Sequence, residues 1–162
     1  MLTAAIFLPL YVMLVRPILE YGIQASSPYL LKDIQHLKRV QKLATRMVHG
    51  LKNLSYEERL RTLDLYSLEK RRCRGDLILA HNIISGKCNL SKELFFTPAP
   101  ERRLRGHSKK LYLRQFHFNR RRGAFSVRVA DPWNKLPDEM MKMPMTALFK
   151  ASLDLKWPEL FT

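Results

Sequence analysis

Enzymes that transfer phosphoryl groups need clustered carboxylates to hold metal ions, so the acidic residues are read first. Adjacent acids occur at Glu57-Glu58 and Asp138-Glu139, and no Asp-Asp pair occurs anywhere in the chain. Ser55-Tyr56-Glu57-Glu58 has the spacing of a capping box, which assigns the first pair to a helix start. The second pair follows Leu136-Pro137 and is assigned to a turn. With 14 acids dispersed among 29 basic residues, no two-metal site is expected. Nucleophilic chemistry finds no better footing. There is no Gly-x-Ser-x-Gly elbow, neither Cys73 nor Cys88 is paired in sequence with a base, and Cys88, at a helix end near Lys87, is read as structural. Cys73, His81 and Cys88 have irregular gaps, as do His107 and His117, and the six glycines are too dispersed for a phosphate-cradling loop. The expectation is a chain that is not an enzyme, with no metal and no cofactor.

The positive signal is charge. Lys and Arg outnumber Asp and Glu by enough to give +15 and a pI near 10.2. Such an excess repels itself in a compact fold and points to a polyanionic partner, RNA or DNA first and an anionic membrane surface second. Two stretches concentrate it. In the first, at about 100° per residue, Lys32, Lys38, Arg39, Lys42 and Arg46 share one face of a helix. The apolar residues Leu30, Ile34, Leu37, Val40, Ala44, Met47 and Val48 are expected to face inward on the other side. In the second, Arg102, Arg103, Arg105, Lys109, Lys110, Arg114, Arg120, Arg121, Arg122 and Arg128 are interleaved with aromatics. Tyr112, Phe116 and Phe118 would either stack on bases or form the core of a small sheet. The candidate phosphate-contacting residues are therefore Lys38, Arg39, Lys42, Arg46, Arg102, Arg103, Arg105, Lys109, Lys110, Arg120, Arg121 and Arg122. They would grip backbone phosphates and would not read bases.

The elements that must position these cations follow from periodicity and breakers. The uncharged run Met1 to Val15 extends to about Gln24 as an apolar helix bent at Pro9 and Pro17. The uncharged run alone is shorter than the ~20 residues of a spanning helix and lacks a basic leader, so the helix is read as a buried one that has lost its packing partner. Helices are expected from Leu30 to Gly50, with Gly50 as C-cap, from Ser55 to about Leu65, and from Leu68 to Ser85. The last of these is basic in its first half and apolar nearly all round in its second, which predicts burial of the second. Thr97-Pro98-Ala99-Pro100 reads as a hinge, and a short strand is expected between about Lys109 and Phe118. Ala124 to Ala130 would be a short helix ended by Asp131-Pro132. Trp133, Leu136 and Pro137 would form a packed turn, and Pro144 to Lys156 an amphipathic helix using Leu148, Phe149, Leu153 and Leu155.

Taken in order, a set of short motifs resembles the region that follows the catalytic palm in LINE-type (non-LTR) retrotransposon reverse transcriptases. The set begins with Arg16-Pro17-Ile18-Leu19-Glu20-Tyr21-Gly22 and Ser27-Pro28-Tyr29. It continues through Val40-Gln41, Ala44-Thr45-Arg46-Met47, Gly50-Leu51 and Leu54-Ser55-Tyr56-Glu57-Glu58-Arg59-Leu60. Leu68-Glu69-Lys70-Arg71-Arg72, Arg74-Gly75-Asp76-Leu77-Ile78, Arg105-Gly106-His107-Ser108, Phe125-Ser126-x-Arg128-Val129, Trp133-Asn134-x-Leu136-Pro137 and Phe149-Lys150 complete it. The resemblance covers about Val15 to Lys156. It implies a helical thumb along a template–primer duplex, with the family's aromatic-x-Asp-Asp aspartates upstream, so no catalytic residue is carried onto this sequence.

The reading is therefore a mainly α fold: a helical thumb-like region over 1–96, a linker over 97–108 and a basic C-terminal region over 109–162 with a short extended or β element. The function expected is a non-catalytic fragment of an RNA-directed DNA polymerase that holds nucleic acid nonspecifically. The alternatives are a membrane-associated basic protein anchored by its apolar N-terminus and a nonfunctional mobile-element remnant. Two unpaired cysteines imply a reducing compartment, cytoplasm or nucleus.

Overall fold

The computed structural model describes residues 2–28, 30–100, 107–113 and 119–161, without the side chains of 26, 119, 120 and 158–161. The fold is mainly α. In chain order the helices are α1 (Ala4–Leu10), a π-helical turn (Tyr11–Val15), α2 (Arg16–Glu20), α3 (Ile23–Ser26), α4 (Leu31–Arg46), α5 (Tyr56–Thr62) and α6 (Leu68–Ile84). There follow α7 (Lys92–Phe95), α8 (Asn119–Arg122), α9 (Phe125–Arg128), α10 (Ala130–Asn134), α11 (Asp138–Met141) and α12 (Thr146–Phe161). Two compact units, Met1–Arg72 and Cys73–Thr162, divide within α6, not at the proline cluster of residues 97–100. That cluster lies inside the second unit, where Pro98 forms an isolated antiparallel bridge with Leu111.

In the first unit, prolines shape the entry. Pro17 has no N–H to offer the preceding turn, and its ring crowds that turn. The helix widens just before it: the Arg16 N–H reaches back five residues to the Tyr11 carbonyl. Gly22 then adopts φ +58°, a left-handed turn that separates α2 from α3. Phe7, Tyr11, Val48, Leu51 and Leu63 pack as one apolar cluster. The opposite side of the same helical run exposes Ile6, Leu10, Met13, Leu14, Ile18 and Tyr21. Among the described residues, Ala4–Ala25 is long and apolar enough to cross a membrane by length and composition, although the uncharged run alone stops at Val15.

Helix α4 departs from the expected apolar face. Val40 and Met47 are exposed, Met47 by 70%, whereas Gln41 and Thr45 are 1% and 0% exposed. Their polar atoms are satisfied inside the unit. Gln41 Nε2 donates to the Tyr66 carbonyl (3.0 Å), and its Oε1 accepts from the Tyr56 hydroxyl (2.7 Å) and the Leu68 N–H (3.1 Å). Thr45 Oγ1 donates back to the Gln41 carbonyl (3.0 Å) and accepts from Arg59 Nε (3.2 Å). One glutamine thus ties α4 to the start of α5, to the loop after α5 and to the first residue of α6. Helix α4 stops at Arg46, earlier than expected, and Gly50 takes φ +81° in the following turn instead of capping it. The capping box at Ser55 forms as its spacing requires, with Ser55 N–H to Glu58 Oε2 (2.8 Å) and Glu58 N–H to Ser55 Oγ (3.2 Å).

The second unit is built on the apolar half of α6. Leu77, Ala80 and Ile83 are buried against Val129, Trp133 and Leu136, with Met140, Phe149 and Leu153. Gly86, at φ +68°, ends α6, and Lys87 N–H returns to the Asn82 carbonyl (2.8 Å). Asp131-Pro132 does not end a helix. Pro132 lies in the first turn of α10, where its missing N–H leaves nothing unpaired. In α12 the inward stripe is Phe149, Leu153 and Trp157, while Leu148 and Leu155 are exposed. No strand occurs among the described residues. The expected strand from Lys109 to Phe118 is reduced to the single Pro98–Leu111 bridge, and residues 114–118 lie outside the described ones.

Replacing Gln41 by Leu keeps the volume and strands three partners: the Tyr66 carbonyl, the Tyr56 hydroxyl and the Leu68 N–H. Chemical denaturation should show a loss of about 2–4 kcal/mol in the first unit. A neutral outcome would show that water or rearrangement satisfies those groups.

Candidate nucleic-acid interface

Helix α4 carries the first group of candidate cations outward because the Gln41–Thr45 side is tied into the unit. Arg39, Lys42 and Arg46 are exposed and share a sector with Lys32. Arg39 and Arg46 make no ion pair among the described residues. Lys38 is half-buried and partly diverted: its Nζ lies 3.4 Å from Glu69 Oε1. The ammonium groups of Lys38 and Lys42 stand 5.7 and 5.2 Å from the centroid of the Tyr56 ring, whose negative π-face favours a cation. Burial pushes the Tyr56 hydroxyl well above the ordinary tyrosine range, so it remains a neutral donor to Gln41. Beside this basic sector α4 exposes an aliphatic strip, Val40, Leu43 and Met47.

The second group is arranged by a clamp on residues 107–111. Trp133 Nε1 donates to the Lys109 carbonyl (2.8 Å). The Asn134 amide takes both ends of Leu111, accepting from its N–H and donating to its carbonyl, each at 2.8 Å. His107 Nε2 donates to the Trp133 carbonyl (3.1 Å). On the other edge Ala99 N–H reaches the Lys110 carbonyl (2.9 Å) and Tyr112 N–H the Thr97 carbonyl (2.8 Å). An extended backbone with its hydrogen bonds met on both sides holds its side chains in fixed directions. Lys109 is exposed at the surface, with its Nζ donating to the Met141 carbonyl (3.1 Å), and Lys110 is half-buried. Arg121 and Arg122 are exposed on α8. Arg102, Arg103 and Arg105 lie outside the described residues, as does the side chain of Arg120. Of the aromatic candidates, Tyr112 is half-exposed, while Phe116 and Phe118 fall outside the described residues.

Several motif cations serve structure instead. Arg71 grips Glu20 through two nitrogens, and Arg72 donates to the Leu19 carbonyl (3.2 Å). Arg74 holds Asp154 at 2.6 and 2.7 Å. Arg128 holds the buried Asp76 at 2.7 and 2.9 Å and also the Gly123 carbonyl at 2.6 Å. These forked pairs occupy the carboxylates as acceptors. Asp138 and Glu139 are each held below the usual carboxylate range, by Lys142 and Lys156 respectively. Among the described residues no group of three His, Cys, Asp or Glu is placed to hold a metal ion. Burial pushes the Cys73 thiol up to about 11, which keeps it protonated and a weak nucleophile. Sequence reasoning missed Lys92, which the fold brings beside Lys109 and Lys110 around a shared cleft. No local pattern announces that residues so far apart in the chain line one cleft.

His81 and His107 are 1% and 2% exposed, and burial lowers the pKa of each. His81 stacks on Phe149 at 4.2 Å and its Nε2 meets the Met143 carbonyl at 3.2 Å. No family model, curated protein or solved structure matches the chain.

The two histidines make stability depend on pH. Above their ordinary value of 6.5 both folded and unfolded states are neutral there. As pH falls through 6.5 the unfolded chain binds protons that the folded chain refuses, so stability drops. The loss is at most about 1.4 kcal/mol per pH unit for each histidine, and it levels off below the folded values. Thermal unfolding from pH 7.5 to 5 should show a falling midpoint for the second unit. His107→Gln, whose amide N–H can replace Nε2–H, should shrink that fall. An unchanged pH profile in the variant would remove His107 from the effect.

Proposed function

We propose that this chain is a non-catalytic module that holds nucleic acid through its phosphates, the thumb-like and C-terminal part of a LINE-type reverse transcriptase. The observation that carries the reading is the outward sector of α4. There Arg39, Lys42 and Arg46 are exposed, and neither arginine has an acidic partner among the described residues. Phosphates would supply the missing counter-charge, and release of condensed counterions would supply the driving force. Lys109, Arg121 and Arg122 add exposed cations in the second unit. The aliphatic strip of Val40, Leu43 and Met47 suits the sugar edge of a backbone and makes no base-specific hydrogen bonds. The motif residues support the same reading indirectly. Gln41, Thr45, Tyr56, Arg59, Asp76 and Arg128 are occupied in holding the helices together. The ordered motifs thus describe a scaffold that carries cations on its surface.

Purified protein titrated against single-stranded RNA and against an RNA–DNA duplex should bind with Kd of about 10⁻⁴ to 10⁻⁶ M at physiological salt. Affinity should fall steeply as salt rises. The triple reversal Arg39→Glu, Lys42→Glu, Arg46→Glu should weaken binding at least about tenfold and flatten the salt slope by about 2–3 units. A single Lys150→Glu change on α12 should do far less. Binding indifferent to salt, or to the triple reversal, would refute α4 as the contact surface.

A further inference from the structure

The clamp on residues 107–111 does more than point lysines outward, because it also forms one wall of a cleft of about 230 Å³ in the second unit. Ile84 at the end of α6, Phe96, Pro98 and Leu111 line its apolar walls, and Lys92, Lys109 and Lys110 stand around it with Glu93. The walls are fixed before any ligand arrives. Leu111 is gripped at both backbone ends by Asn134, Pro98 is bridged to Leu111, and Phe96 packs against Phe125 with ring centroids 5.8 Å apart. A preformed apolar slot costs little ordering on binding. Three lysines against one glutamate select a ligand with an anionic arm, and Glu93 disfavours an anion on its own side. The Lys109–Lys110 side is left for the charge. Lys109 Nζ gives one hydrogen to the Met141 carbonyl, and an ammonium has two more.

A flat ring with an apolar face, joined through a sugar to a phosphate, meets both demands. We infer that this cleft takes one unpaired base of a single-stranded nucleic acid, with the adjoining phosphate held by Lys109 and Lys110. A base in a duplex is stacked and paired and cannot enter such a slot, so the cleft gives the chain a preference for single strands that phosphate contacts alone do not provide. The inference rests on the nucleic-acid reading above and sharpens it.

The test compares an oligothymidylate with an abasic deoxyribose-phosphate strand of equal length, both fluorescently labelled, on the full chain at one low salt concentration. The wild-type protein should bind the base-bearing strand about tenfold more tightly. Ile84→Trp, which fills the slot without altering charge, should remove that preference and leave the abasic affinity unchanged. Equal binding of both strands by the wild-type protein overturns the cleft while the phosphate-binding reading stands, and no binding of either strand overturns both. An acidic phenylalanine-containing peptide that binds, is lost in Ile84→Trp and is not displaced by oligothymidylate also overturns the proposal, in favour of a protein partner. If Ile84→Trp fails to fold by circular dichroism, the decision passes to wild-type protein photo-crosslinked to a 4-thiothymidine strand. Adducts at Phe96, Pro98 or Lys110 support the cleft, and adducts confined to other segments overturn it.

Discussion

Forked pairs between arginine and carboxylate, Arg71–Glu20, Arg74–Asp154 and Arg128–Asp76, set the terms for the rest of the molecule. A chain with 29 basic and 14 acidic residues cannot neutralise every cation internally. Where its carboxylates go decides which cations are structural and which face solvent. Asp76 shows the constraint most sharply. Its side chain is 5% exposed, and removing Arg128 would take away its forked pair, a loss on the order of 3–5 kcal/mol. The arginine reaches it from α9 and also holds the Gly123 carbonyl, so one side chain fixes α6, α9 and the turn that leads into α9. Among the described residues no three of these groups meet at a metal site, and Arg39, Lys42 and Arg46, outside the pairs, lie exposed, whereas Arg59 is buried on Thr45 and the Leu54 carbonyl.

Hydrogen-bonding side chains play the corresponding part where no carboxylate is present. In the first unit Gln41 meets three partners on two helices and a loop. In the second, Trp133 and Asn134 together fix the backbone of residues 109–111. Both arrangements have the same consequence. Helix α4, tied on one side, presents Arg39, Lys42 and Arg46 on the other, and the ribbon, held along both edges, exposes Lys109. The stripe of Ile6, Leu10, Met13, Leu14, Ile18 and Tyr21 has a different origin, since there one face of an apolar helix is buried and the other is left bare.

Much of this was legible in the sequence where local chemistry decides it. The Ser55–Glu58 box, the apolar second half of α6, the turn at Gly86 and the mainly helical class all follow from spacing within a few residues. The inward face of α4 was not legible, because periodicity counts polarity and cannot see that Gln41 and Thr45 have partners 25 and 14 residues away to satisfy them. The same counting places Val40 and Met47 on the inward face. Asp131-Pro132 read as a stop because proline usually ends helices, yet a first-turn position removes the penalty. At the candidate site the exposure of Arg39, Lys42 and Arg46 was foreseeable from their shared sector. The pairing of Lys38 with Glu69, the use of Lys109 on Met141 and the arrival of Lys92 beside it depend on tertiary contacts.

In the proposed function labour is divided: motif residues hold the scaffold, and exposed cations would hold phosphate. The most direct measurement is a backbone-amide NMR titration of the ¹⁵N-labelled chain with single-stranded RNA. Shift changes are expected at Arg39, Lys42 and Arg46 and around Lys92, Lys109 and Lys110. Gln41, Thr45, Asp76 and Arg128 should stay in place. Changes centred on the buried network or on the Ile6–Tyr21 stripe, with the α4 cations unmoved, would contradict that division.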